Sequence, residues 1–98
     1  MDKEEFIKKM KQEFNDLNYR WNIERNKLEA KAQHLGAEAR KTFDEEMEKL
    51  QKLRSEMKEK MVDLEVAGEN AWYDVKEGTE KAWKALSKAF KKASTRFK

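Results

Sequence analysis

The 98-residue chain contains no cysteine and no proline, only three glycines, and no long apolar run. Without cysteine there are no disulfides, no thiolate metal ligands and no thiol nucleophile, and the composition fits a reducing compartment. Without proline, nothing in the sequence forces a helix to end. The longest apolar stretches fall far short of the ~20 residues that span a bilayer. The start, Met1-Asp2-Lys3-Glu4-Glu5-Phe6, lacks the basic and then apolar stretch of a secretory signal. A soluble, cytoplasmic protein is the expectation.

What is present is charge. Charged residues make up 44% of the chain and hydrophobics 38%, with ten alanines among the latter. An average soluble domain is about 25% charged and about 45–50% apolar. The mean hydropathy of −1.18 leaves little material for a thick core. Ten aromatics nonetheless argue against disorder. A proline-free chain rich in Ala, Glu, Lys and Leu reads as long helices meeting along a thin seam.

The net charge of +3 is unevenly placed. Residues 1–35 carry eight basic and seven acidic side chains, residues 36–68 seven and nine, and residues 69–98 eight and four. The last third is therefore basic and the middle slightly acidic. Opposite signs on neighbouring segments favour antiparallel pairing or head-to-tail assembly, weakly at physiological salt.

Apolar residues recur at spacings of three and four and never alternate, so helix is the only element predicted. Ile7, Phe14, Trp21, Leu28 and Leu35 are spaced by seven, with Met10 and Leu17 interleaved. A second heptad run reads Phe43, Leu50, Met57 and Leu64, with Met47, Arg54 and Met61 between its members. The runs are one residue out of register across Gly36. In the last third the period changes: Leu64, Val75, Leu86 and Phe97 are eleven apart, as are Trp72 and Trp83. Eleven residues in three turns make a nearly straight seam. Followed backwards, one such column runs Phe6, Leu17, Leu28, Ala39, Leu50, Met61, Trp72, Trp83, apolar throughout.

Two glycines 32 residues apart, Gly36 and Gly68, divide the chain into near-equal thirds. Only Gly68-Glu69-Asn70 resembles a helix-ending glycine followed by an N-cap asparagine. The expected architecture is all-α: a long amphipathic coiled-coil helix over residues 1–66, a bend or turn over 67–70, and a basic amphipathic helix over 71–98, self-associating as a bundle. The alternative is an intramolecular three-helix bundle with breaks at Gly36 and Gly68. A helix through residue 66 would be about 95 Å long, and so long and thin a helix needs a partner.

The tract Ala67-Gly68-Glu69-Asn70-Ala71-Trp72-Tyr73-Asp74-Val75-Lys76, continuing to Ala82-Trp83 and Ala89-Phe90-Lys91-Lys92-Ala93, resembles a family of small bacterial coiled-coil proteins. These end in a Gly-x-x-Ala-Trp-x-Asp-hydrophobic-Lys repeat, and some are labelled stress-related. The match covers the last third of the chain, and Leu is commoner where Val75 stands. The resemblance implies a helical protein with no catalytic residues to carry over. The eleven-residue pattern is also similar to that of exchangeable apolipoproteins.

Catalysis finds no footing. His34 is the one histidine, and neither paired-histidine nor HExxH metal spacing occurs. Glu45–Lys49 and Glu48–Lys52 read as i,i+4 pairs on a solvated face. No cofactor is implied. Arg54 either sets register in the seam or snorkels outward while Leu53 packs, and the second reading is preferred. The methionines at these spacings read as core. The tryptophans read as anchors of a helix–helix contact, with lipid contact by the basic final third as the alternative. Asp74, Glu77 and Glu80 interrupt that basic face and argue against nucleic acid. The expected partners are thus a second copy or another protein, with weak affinity for anionic membrane surfaces. The residues expected to carry the contact are Phe14, Trp21, Leu28, Phe43, Leu50, Met57, Leu64, Trp72, Val75, Trp83, Leu86 and Phe90.

Overall fold

The computed structural model describes residues 2–96, and Phe97, the last member of the eleven-residue column, lies outside them. The all-α expectation holds: three helices, α1 (Lys3–Ala32), α2 (Ala37–Val66) and α3 (Trp72–Arg96), and no strand among the described residues. They form a rod of 52 × 20 × 17 Å. Its length is close to the ~45 Å of a 30-residue helix, so the three lie side by side.

The expected single helix to residue 66 is corrected. The chain leaves the helix after Ala32 and re-enters it at Ala37, so the break at Gly36 belongs to the three-helix alternative. The reason is tertiary. Folding back at this point lets Leu28 and Ala32 bury against Phe43, with Leu35 and Met47 closing the cluster. One continuous helix would leave all of them on an unpartnered stripe. The expected turn over 67–70 extends to residue 71, with α3 starting at Trp72, and it does not pass through a left-handed glycine. Ala67 is extended (φ −67°, ψ 137°), and no glycine in the described residues has positive φ. The backbone amides of Ala71 and Trp72 then donate to the Gly68 carbonyl, starting α3.

Helix ends explain the other boundaries. Asp2 caps α1, its Oδ1 accepting from the Glu5 amide at 2.8 Å, and Glu4 and Glu5 face the positive end of the helix dipole. No basic residue of α2 lies in its own last turn. Lys3 of α1 supplies the charge instead, donating to the carbonyl of Ala67, and Lys11 pairs with Glu65 at 2.6 Å. At the other end of the rod Arg96 donates to Glu46 at 2.7 Å. These contacts fix the direction: α2 runs antiparallel to α1 and α3, which are parallel to each other. The i,i+4 ion pairs close at Arg25–Glu29, Arg40–Asp44, Lys76–Glu80 and Glu77–Lys81, and not at the expected Glu45–Lys49 and Glu48–Lys52.

Packing is unequal around the three-fold arrangement. α2 and α3 approach most closely, while α1 stands further from both. Gly78, Ala82, Ala89 and Ala93 form a narrow stripe on α3 at helical spacing, and a Cβ at Gly78 would meet the Lys60 side chain at 3.8 Å. The row buried along α3 is Trp72, Thr79, Leu86 and Ala93, which is a heptad row. Val75 and Trp83, expected from the eleven-residue period, lie at its edges, half-buried. Thr79 is fully buried, and its hydroxyl donates to the Val75 carbonyl at 2.8 Å. That bond satisfies the hydroxyl within its own helix.

Leu50 and Met57 sit at the centre of the main cluster, 1% and 0% exposed. Replacing either with Ala is expected to lower the unfolding free energy by ~2–5 kcal/mol, read by urea denaturation. A loss under ~0.5 kcal/mol would place the core elsewhere. Gly36 offers the opposite case. It is the N-cap of α2 with φ −69° and ψ 170°, no side-chain cap, and open space where a Cβ would lie. Gly36→Asp is expected to raise stability by ~0.5 kcal/mol, through a new cap and a stiffer unfolded chain. Its melting temperature should exceed that of the parent.

Candidate functional site

The seam between α1 and α3 is built differently from the other two. Large side chains hold it at two levels. Near the turn end Phe6 meets Trp72, ring centroids 6.4 Å apart, and further along Trp21 meets Phe90 at 6.1 Å. A cation covers each level: Lys76 Nζ lies 5.4 Å from the Phe6 ring centre, and the Arg20 guanidinium 5.6 Å from that of Phe90. Such contacts add ~0.5–1.5 kcal/mol per aromatic pair beyond burial. They also keep α1 at ring's distance from α3.

Between the two clasps the seam is open. A groove of about 700 Å³ has Phe6, Met10 and Trp83 as its floor, with Lys9, Lys76, Lys81 and Lys84 along its rim beside Glu13, Glu77 and Glu80. Ser87 joins it to a second hollow of about 450 Å³ over Leu17 and Phe90, edged by Arg20 and Lys91. Together they form a strip along the rod, apolar beneath and charged at its margins. Its size is that of a ligand pocket, but its form is a channel open to solvent along its length. Lys76 and Lys81 close on Glu80 and Glu77 at 3.9 and 3.4 Å.

The residues expected to meet a partner are mostly placed inside the single chain. Trp21, Leu28, Phe43, Leu50, Met57, Leu64, Trp72, Leu86 and Phe90 are buried, whereas Phe14, Val75 and Trp83 are half-buried. The apolar stripe therefore supplies this chain's own core. Of the three tryptophans only Trp83 keeps a surface in the open groove. Lys9 and Lys84 carry no special signal beyond their place beside Met10 and Trp83. The sequence misses the groove because its two walls come from helices 66 residues apart at the turn end, Phe6 against Trp72.

Arg54 and Leu53 are both half-buried, and Arg54 lies along the α1–α2 seam. Leu53 packs against the core while Arg54 lies across it, its Nε donating to Asn18 Oδ1 at 2.9 Å and its Nη1 to Gln51 Oε1 at 3.1 Å. Its guanidinium stacks 5.6 Å from the Trp21 ring centre. Burial, and then the Arg25 guanidinium, lower its pKa from the ordinary arginine value, yet an arginine remains charged in proteins. It shields a tryptophan whose Nε1 is buried without a hydrogen-bond partner. Among the described residues no group of three or more His, Cys, Asp or Glu could hold a metal ion, and no helix is long and apolar enough to cross a membrane.

Comparison with protein-family models, curated proteins and solved structures finds no match to this chain.

Arg54→Ala is expected to cost ~1 kcal/mol, from the lost ring contact and packed stem. A double-mutant cycle with Asn18→Ala should give a coupling of ~0.5–1.5 kcal/mol. Zero coupling would mean that the bond between α1 and α2 does not form in solution.

Proposed function

We propose that this chain is a non-enzymatic helical binding module that acts through protein–protein contact, holding an amphipathic helix in the α1–α3 groove. The observation that carries the reading is the gap between the two aromatic clasps, where Trp83 and Met10 lie under a charged rim of four lysines and three glutamates. A helix laid there would complete a four-helix arrangement, its apolar face on Trp83 and its acidic flanks toward the rim. This is the helix-in-groove mode, read by anchors at i, i+3, i+4 and i+7. Aromatic floors of this kind supply much of the binding energy at protein contacts. The reading agrees with what the resemblance to small, partly stress-related coiled-coil proteins implies, namely a helical protein with no catalytic residues to carry over.

A second reading, peripheral binding to an anionic lipid surface, draws support from Lys84, Lys88, Lys91 and Lys92, all exposed on α3. Its apolar anchors would have to leave the core first, since Trp72 and Phe90 are 5% and 9% exposed. The groove needs no such opening.

Trp83 is the natural reporter, because Trp21 and Trp72 are already buried. Adding a synthetic helix with a Leu face and Glu flanks is expected to shift the emission to the blue. Trp83→Ala should weaken binding roughly tenfold or more. An unchanged spectrum at millimolar peptide would sink the groove reading. Anionic vesicles are expected to bind only weakly and with loss on adding salt, each engaged lysine contributing ~1 kcal/mol. A large blue shift with vesicles that persists at physiological salt would favour the lipid reading instead.

A further inference from the structure

The outer face of α2 carries two large apolar side chains in solvent, Val62 at 53% and Val66 at 77% exposed. They lie one turn apart and about half a turn round the helix from the buried Met57 and Leu64, so they point away from α1 and α3. Exposed valines on the solvent face of a highly charged helix give nothing to this chain's own core. Glu59, Asp63 and Glu69 lie near them along the chain, as does Glu65, which pairs with Lys11, and Lys58 and Lys60 are the neighbouring cations. This is an acidic ridge with an apolar crest. It stands at the turn end of the rod, level with the wider part of the α1–α3 groove and on the opposite side.

The groove is its complement. Lys9 and Lys84 on the rim form no ion pair, against a single unpaired rim carboxylate, Glu13, among the described residues. The floor is apolar. The same complementarity appears in the chain's thirds, where residues 36–68 have two more acids than bases and residues 69–98 four more bases than acids.

We propose that the occupant of the groove is a second copy of this chain, inserted by the C-terminal end of its α2, with Val62 and Val66 seated over Met10 and Trp83. This rests on the reading of the groove as a helix-docking site and names its partner. Because crest and groove are different surfaces, the contact is heterologous. Each added copy leaves one crest and one groove unfilled, which generates a side-by-side open array and not a closed dimer. The acidic flanks meet the lysine rim, so association strengthens as salt falls.

The absence of native cysteine makes the test clean, since any introduced thiol is the sole one. Full-length Val66→Cys and Lys84→Cys chains, one of them mass-labelled, are mixed in equal amounts with a short bis-maleimide. The mixture is expected to give cross-linked pairs of mixed composition several-fold in excess of either variant alone. Equal yields from either variant alone would overturn the heterologous contact. In sedimentation at low salt, the parent should grow in mass with concentration. The surface variant Val62→Glu/Val66→Glu, with an unchanged circular dichroism spectrum, should lose this association roughly tenfold. A parent that stays monomeric at millimolar concentration, or a double variant that associates undiminished, refutes the second-copy proposal. If the synthetic helix still shifts Trp83 in that monomeric chain, the groove reading survives it; silence to both removes the two together.

Discussion

Gly78, Ala82, Ala89 and Ala93 give α3 a narrow face, and the rest of the bundle follows from how near this lets α2 come. With little side chain between them, the two helices bring Leu50, Met57, Leu64 and Leu86 into one layer that is almost free of solvent. Close-packed contacts of this kind depend on small volumes, so α2 and α3 form the tight edge of the triangle. α1 must then cover what remains with large side chains: Phe6, Met10, Phe14, Leu17 and Trp21. Ring-sized residues keep it at a distance, and the open seam with Trp83 in its floor is the result. The groove is thus the geometric consequence of a small-residue stripe on the opposite flank of α3.

A chain with so little apolar material compensates by using the stems and charges of its cations. Arg20, Arg40, Arg54 and Lys76 each lie over an aromatic ring, at 5.4–5.7 Å. Their hydrocarbon stems exclude water from ring faces while the charged ends stay hydrated. Isolated surface ion pairs contribute little, but those that join helices fix direction. Lys11–Glu65 ties α1 to α2 at one end of the rod and Arg96–Glu46 ties α3 to α2 towards the other, and both would be broken if α2 ran the other way.

Arg54 shows how far a sequence reading can go at a single position. Its place between Met47 and Met61 marks it as unusual, and the presence of Leu53 beside it indicates which residue packs. Its partners cannot be read from the chain, since Asn18 and Trp21 come from another helix. Thr79 is a similar case. It falls on the heptad row of Trp72, Leu86 and Ala93, but the tryptophan pair draws attention to the eleven-residue period, under which Val75 and Trp83 would face inward. On a 25-residue helix the two periods diverge by only a fraction of a turn. Which of them describes the buried row depends on the partner helices.

By itself the sequence determined the helical class, the turn near Gly68 and most of the large buried residues, because periodicity and side-chain chemistry are local and both act within a few turns. It also marked Gly36 as the only plausible earlier break. Tertiary structure decided that the chain breaks there, since the gain comes from Leu28 and Ala32 meeting Phe43 across the turn. An apolar stripe has no label saying whether its partner is the same chain or another one. Burial against one's own helices avoids the entropy lost in association, and three segments of near-equal length make that route geometrically available. The same folding step turned most of the expected contact residues into core, and left Trp83 half-buried and Val62 and Val66 among the apolar side chains that face solvent.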